Sequence, residues 1–462
     1  MKKSTYTYSS YATLLVVILF HFSSCQKYLD KKPDKKLSVI SSVADLQSLM
    51  DNQSIHYLSE QSSDEISADN YYLTDERWSS MSNERNRRMY NWQPDFLFAS
   101  GNGNEWGRAY NSIYYANTVI ENIKNVTDQA DPEQINDVKG QALFVRAKQH
   151  FHVAVLWANA YDPNTAATEL GIPLRLGTDF NEPSTRSSLE SNFDQIITDL
   201  KEAADLLPKV SMHVMRPSKP AAYGMLARVY LYMQQYENAR RYADSCLQIK
   251  SQLLDYNTVN AASVTPFAPL GFNVEIIWEN AAYRDVPVSG LTRGTIDTIL
   301  YQSYDQNDLR KSIFFRAGSI GQVFKGNYDE VLGSSLFSGI ATDEVYLMRA
   351  EAYARTNNKD SALKDLNTLM AKRWKNTAIF NPVTAADANE ALNKILIERR
   401  KELLFRNLRW MDIKRLNATG ANITLKRVIN GQTYLLPPND FRYALPIPED
   451  IINVTQMPQN PR

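Results

Sequence analysis

The stretch Thr342–Asn417 decides the fold. It opens TDEVYLMRAEAYARTNNKDSALKDLNTLMAKRW (342–374) and closes ILIERRKELLFRNLRWMDIKRLN (395–417). Val345, Met348, Ala352 and Tyr353 recur at helical spacing, as do Leu363, Leu366, Leu369 and Met370, with Asn357–Asn358 between the runs. The pattern predicts an antiparallel helical hairpin, with Thr342 as N-cap, Asp343 and Glu344 in the first turn, and small Ala350, Ala352 and Ala354 at the close approach. A third, long helix follows. Thr384-Ala385-Ala386-Asp387 resembles its capping box, and Leu392, Ile395, Leu396, Leu403 and Leu404 supply its apolar face.

The same hairpin stands earlier, in AAYGMLARVYLYMQQYENARRYADSCLQI (221–249). Ala227, Tyr230, Ala239 and Ala243 have the mutual offsets of Ala350, Tyr353, Ala362 and Leu366, a pattern that tetratricopeptide (TPR) helix pairs use to pack. The copies lie 123 positions apart, against roughly 34 in a tandem array. The repeats are therefore interrupted by a large insertion. Trp106, Tyr110, Ile113 and Asn117 open another long helix, and a partner runs from Pro132 to about Trp157, making a further TPR-like pair. A helix from about Leu189 to Leu206 stops at Leu207-Pro208. The helical period fades between 251 and 340, and closely spaced prolines after Tyr443 predict an extended tail. The expected fold is all-α dominated: TPR-like helix pairs with an inserted irregular subdomain of loops and short strands.

Composition bounds the function. The 462 residues are 44% hydrophobic and 22% charged, enough for a large core. Basic and acidic residues balance at 51 each, which argues against a nucleic-acid-binding surface. Lys2 and Lys3 precede the apolar run ATLLVVILF (12–20), and Ser23-Ser24 precede Cys25. The run is too short for a bilayer core of about 30 Å, so it reads as a removed signal segment, 1–24, with a lipobox-like end and Cys25 as the site of lipid attachment. The other cysteine, Cys246, falls in mid-helix as a buried thiol, so no disulfide framework is expected. The chain then divides into a lipidated tether (25–40), an N-terminal part with helix pairs and an aromatic loop (41–250), the inserted subdomain (251–340), and a C-terminal hairpin, long helix and tail (341–462).

These residues resemble the SusD/RagB-like outer-membrane lipoproteins of Bacteroidetes. The resemblance rests on Cys25 with Tyr28-Leu29-Asp30 and Pro33; on Trp106, Tyr110, Ile113 and Asn117; and on Val345-Tyr346-Leu347-Met348-Arg349-Ala350-Glu351-Ala352-Tyr353. Glu398 to Leu403, Arg409-Trp410-Met411-Asp412 with Lys414-Arg415, and the Leu445-Pro446-Ile447-Pro448 and Gln459-Asn460-Pro461 ending complete it. Arg406-Asn407 depart from it, standing where many members carry Glu-Gly. The resemblance implies surface anchoring through lipid and a role as a lid over a SusC-like TonB-dependent β-barrel transporter, capturing oligosaccharides or, in some members, peptides.

No catalytic constellation is evident. His150 and His152 are two apart on a helix and face different ways, and HExxH, CxxC, GxSxG and P-loop patterns are absent. Glu398, Arg399, Arg400 and Glu402 read as ion pairs that fix helix packing. Binding chemistry is better represented. A sugar packs its C–H face on an aromatic ring while its hydroxyls need donors and acceptors nearby. Tyr71, Tyr72, Arg77 and Trp78, amid Asp69, Asn70 and Asp75, supply both, with Tyr283 and Arg284, then Tyr301 and Tyr304, as further candidates. The neighbours of Trp92 and Trp106 suggest packing. The sequence thus points to a non-enzymatic glycan-binding surface lipoprotein; peptide capture, a TPR scaffold without small ligand and a glycosidase are the competing readings. No cofactor is expected, and a structural calcium in the aromatic loop stays open.

Overall fold

The segments with helical periodicity are helices in the computed structural model, which describes residues 40–57, 59–126, 131–267, 273–283, 294–328 and 335–462. The 1–24 segment, Cys25, nearly all of the 25–40 tether, and Arg284 lie outside the described residues. The principal helices are α1 (Val43–Met50), α2 (Glu105–Asn122), α3 (Pro132–Trp157), α4 (Leu189–Leu206), α5 (Lys219–Tyr232), α6 (Tyr236–Ile249), α7 (Thr342–Arg355), α8 (Lys359–Ala371), α9 (Ala388–Glu402), α10 (Arg409–Ala418) and α11 (Glu449–Thr455). From α2 to α9 each packs on the next in chain order, so the repeats form one continuous stack. The 123-position gap closes in space at the α6–α7 contact. There Arg349 of α7 donates to Asp244 of α6 at 2.8 Å and to Asp365 of α8 at 2.7 Å. Arg240 lies over the Tyr353 ring and Arg355 over that of Tyr236. At Gly224 of α5 an added Cβ would sit 2.7 Å from Cγ2 of Ile340, which is why that helix approaches the start of α7 so closely.

Local signals hold in kind and shift in detail. Thr342 is the first helical residue and not the cap; buried, it donates its hydroxyl to the Glu275 carbonyl. The cap of α9 is Asp387, which accepts from the Glu390 N–H, while Glu390 accepts from the Ala386 N–H. The expected long third helix is two helices, broken between Glu402 and Arg409, where Phe405 and Asn407 have φ of 56°. Asparagine, at 407, is among the few side chains that tolerate this conformation. The aromatic loop of the N-terminal part holds short helices at Ser63–Ser67, Asp75–Ser79 and Glu84–Tyr90. The proline-rich tail is interrupted by α11 and bound to the body, Trp157 donating to the Pro446 carbonyl and Asn460 to the Trp157 and Leu445 carbonyls. Cys246 is buried, its thiol donating to the Pro220 carbonyl.

Strands of two or three residues run through the insertion and join it to the N-terminal loop. They are β1 (Glu60–Gln61), β2 (Tyr71–Tyr72), β3 (Ile276–Trp278), β4 (Ala281–Tyr283), β5 (Thr295–Ile296), β6 (Phe315–Ala317), β7 (Gln322–Phe324), β8 (Ser335–Phe337) and β9 (Ile340–Ala341). β4 runs parallel to β1 and antiparallel to β8. β2 pairs with β5, β3 with β9 and β6 with β7, all antiparallel. A longer hairpin, β10 (Leu425–Ile429) with β11 (Gln432–Leu436), follows α10.

A buried charge network welds the insertion to the stack. Arg373, just past α8, donates to Glu275 of the insertion at 2.8 Å and to Glu402 of α9 at 2.7 Å. Arg310 donates to Glu402 at 2.9 Å and to Asp308 at 2.7 Å. Tyr328 donates to Glu275 at 2.6 Å, and Arg406 lies 3.6 Å over the Tyr328 ring while pairing with Asp343 at 2.8 Å. Burial pushes the Asp343 carboxyl up, but the Arg406 and Arg373 guanidiniums outweigh it and hold its pKa below the ordinary value.

Two measurements check this account. Arg373→Ala leaves Glu275 buried without its guanidinium and Glu402 with Arg310 alone, and equilibrium unfolding should show a loss of about 3–5 kcal/mol. At the exposed hairpin tip Asn357 has φ of 61°. There Asn357→Val should cost about 1–2 kcal/mol while Asn357→Gly is nearly neutral, in the same assay.

Candidate functional site

The β2–β5 pairing sets the geometry of the aromatic loop. Adjacent residues of a strand face opposite ways, so Tyr71 and Tyr72 separate. Tyr71 points into the core, 1% exposed, donating to the Ile66 carbonyl and packing on Tyr90, Phe405 and the Arg427 guanidinium. It offers no face to a ligand. Tyr72 is half-buried on the opposite side, with Thr295 as its strand partner. Arg77, on the short helix capped by Thr74, spans to the insertion: it donates to the Thr295 hydroxyl at 3.2 Å and to the Ser319 hydroxyl at 2.8 Å. At Gly321 an added Cβ would meet Cγ2 of Thr295 at 2.7 Å and the Tyr72 hydroxyl at 3.8 Å. Tyr72, Arg77, Ser319 and Gly321 therefore share one face, and Thr295, buried beneath it, accepts from Arg77 and holds that side chain in place.

The other candidates are distributed. Trp78 is half-buried against the core, with its indole N–H on the Arg87 carbonyl at 3.3 Å, so it buttresses the short helix as well as edging the surface. Tyr283 is 45% exposed at the end of β4, on a different sheet. Tyr304 is buried, its hydroxyl on the Lys401 carbonyl, and Tyr301 packs against the core. Trp92 and Trp106 are buried. The polar neighbours are largely committed to the fold. Asp69 is taken by Arg409 at 2.6 Å and Arg400 at 3.3 Å, and these guanidiniums overcome the effect of burial and hold its carboxyl well below the usual range. Asn70 is buried on Glu65, and Asp75 accepts from the Asn430 N–H. Thr295 and Ser319 were missed because nothing in their spacing marks them; they lie more than 200 positions from Arg77 and meet it only through the β2–β5 pairing.

Three carboxylates, Glu275, Asp343 and Glu402, come close enough to share a cation. Arg373 lies between two of them and Arg406 on the third, so guanidinium charge already serves the role an ion would play. Glu398, Arg399, Arg400 and Glu402 are ion-paired within the fold: Arg310 holds both glutamates, Arg399 bonds Asp412, and Arg400 bonds Asp69 and Asp297. His150 is buried, and His152 bonds Glu105 at 2.9 Å. Among the described residues no helix is long and apolar enough to cross a membrane.

Comparison with known proteins places this architecture. A family model described as starch-binding and associating with the outer membrane matches residues 27–231, and the SusD family model matches 342–462. A tetratricopeptide repeat model matches 220–253, the α5–α6 pair. SusD-like protein P2 from Formosa agariphila is 24% identical over 414 residues, covering 77% of this chain and 79% of that one. The crystal structure of a SusD superfamily protein from Bacteroides thetaiotaomicron is 21% identical with a TM-score of 0.74, covering 91% of this chain and 100% of its own. A SusD-like carbohydrate binding protein from Bacteroides vulgatus is 21% identical with a TM-score of 0.68, covering 90% and 96%. These structures share the fold of helix pairs and insertion described above, and the two family models bracket the insertion from either side; the chain belongs to the SusD/RagB-like family.

Proposed function

We propose that this protein is a lipid-anchored receptor of the outer-membrane surface that binds oligosaccharides and delivers them, uncleaved, to a SusC-like TonB-dependent β-barrel transporter. The observation that carries the ligand reading is the Tyr72–Arg77 face. A half-buried phenol ring there stands on the same face as Arg77 and the exposed Ser319 hydroxyl, and the buried Thr295 hydroxyl accepts from Arg77 and fixes it from within, on a surface joined from two parts of the chain. Ring and donors together match what a pyranose presents, an apolar C–H face edged by hydroxyls. Tyr283, exposed on a different sheet, and Arg284 stay proposed as separate secondary contacts, and Trp78 steadies the short helix that carries Arg77. The family's outer-membrane association, and the likeness to a structure described as carbohydrate binding, favour the same reading. A binding role also suits the carboxylates that the fold brings together, which are buried and arginine-paired and so poorly placed for the acid–base work of glycoside cleavage.

Calorimetric titration of the purified protein against polysaccharides, oligosaccharides and peptides tests the ligand class. Tyr72→Ala should lose about 2 kcal/mol of binding, roughly thirtyfold, with little change in thermal unfolding. Binding to peptides alone would replace the glycan reading. Trp78→Ala should weaken both binding and stability, since its indole is packed and hydrogen-bonded.

Cys25 is proposed as the acylated residue, and Cys25→Ser should abolish incorporation of labelled fatty acid and release the protein from the outer-membrane fraction. Affinity purification from solubilised outer membrane should recover a large β-barrel protein; recovery without one would sink the transporter assignment.

A further inference from the structure

One face of α2 carries Trp106, Tyr110 and Tyr114 at i, i+4 and i+8, and these rings line a half-open cavity of about 260 Å³. Its opposite wall is the 173–184 loop, and α11 closes one end with Ile451 and Thr455. At its mouth Phe180 is 79% exposed and packs on the Tyr114 ring, with centroids 4.9 Å apart and planes 31° from parallel.

The loop that carries Phe180 is held from several directions. Tyr110 donates to the Pro173 carbonyl at 2.8 Å, and Asn117 donates to the Arg175 and Gly177 carbonyls at 2.9 and 3.1 Å. Arg175 donates to the Asp179 and Glu182 carbonyls at 2.6 and 2.7 Å. Glu121 accepts from both the N–H and the hydroxyl of Thr178. So many bonds set an apolar ring in solvent at a defined angle, an arrangement that adds nothing to the core and that preorganises a stacking surface.

Polar groups in the same cavity complete the case. Tyr114 and Ser184, each with a hydroxyl, are among its lining residues. Arg175, the cation in its wall, is spent on backbone carbonyls, and the charge left on the rim is the exposed Glu182 carboxylate, 3.9 Å from that guanidinium. An anionic ligand would find no uncommitted cation and one like charge; a neutral ring with hydroxyls would find the open face of Phe180, backed by Tyr114, beside polar lining residues.

We propose that this groove is a second saccharide subsite, which takes one neutral pyranose ring against the open face of Phe180, with Tyr114 behind it, and is separate from the Tyr72–Arg77 face. The proposal rests on the carbohydrate-binding reading above.

The test is titration of the purified protein with maltohexaose, laminarihexaose, cellohexaose and xylohexaose, and with oligogalacturonate as the acidic counterpart. Phe180→Ala, Phe180→Trp and Tyr72→Ala are run in parallel. The subsite predicts that Phe180→Ala weakens binding of a neutral hexaose by roughly tenfold, or removes one of two binding events. Phe180→Trp should retain the binding, and Tyr72→Ala should spare the Phe180-dependent event. The unfolding midpoint should not move in Phe180→Ala, because the ring is exposed. A Phe180→Ala protein that binds like the wild type, while Tyr72→Ala does not, overturns the subsite and leaves the receptor reading standing. A Phe180-dependent response to oligogalacturonate or peptide overturns the neutral-sugar assignment. A wild-type protein that binds none of the sugars overturns both readings.

Discussion

Everything in this fold depends on how the inserted subdomain is joined to the helical stack, and arginine makes that junction. Arg373 holds a carboxylate from each side, Glu275 and Glu402, while Arg310 shares Glu402, and Arg406 carries Asp343 under the Tyr328 ring. A planar, permanently charged fork can satisfy two partners at once without becoming neutral when buried, which lysine does less well. Burying these charges costs free energy that the pairing must offset, so removing one partner is far more damaging than the pair is stabilising. The network therefore acts chiefly as a register device: the insertion fits the stack in the one arrangement in which every guanidinium meets its carboxylate.

That junction has a direct consequence for the candidate site. The Tyr72–Arg77 face exists only because the insertion lies against the N-terminal loop, with β5 paired to β2 and Ser319 within reach of Arg77. Arg400 and Arg409 hold Asp69 at the base of the same loop, and Asn407 in the broken α9–α10 connection donates to Glu65 and Gln61. Structural ion pairs thus surround the face without entering it. Carboxylates that looked available as sugar partners in the chain are consumed in holding the loop.

Much of the architecture was legible without coordinates because it is local. The hairpins at 219–249 and 342–371 are written in i, i+3 and i+4 spacing, and a helix closes its own hydrogen bonds within four residues. Boundaries were less legible. Thr342 looks like a cap, but its hydroxyl is drawn to the Glu275 carbonyl, far away in the chain. The apolar period runs unbroken through Leu403 and Leu404, yet the chain turns at Phe405 and Asn407, and Arg406 between them pairs with Asp343, 63 positions away.

The sequence by itself determined the helix pairs, the interruption between the repeats, the balance of charge and the family resemblance, since each is carried by neighbours in the chain or by composition. It also required that Tyr71 and Tyr72, if extended, face opposite ways. Only the tertiary structure decided which ring is inside, that Thr295 and Ser319 join Arg77, and that Phe180 stands against Tyr114. The physical reason is range. Helical periodicity reports contacts within a few residues, whereas strand pairing, arginine bridges and loop anchoring join positions tens to hundreds of residues apart, and nothing in their spacing announces which will meet.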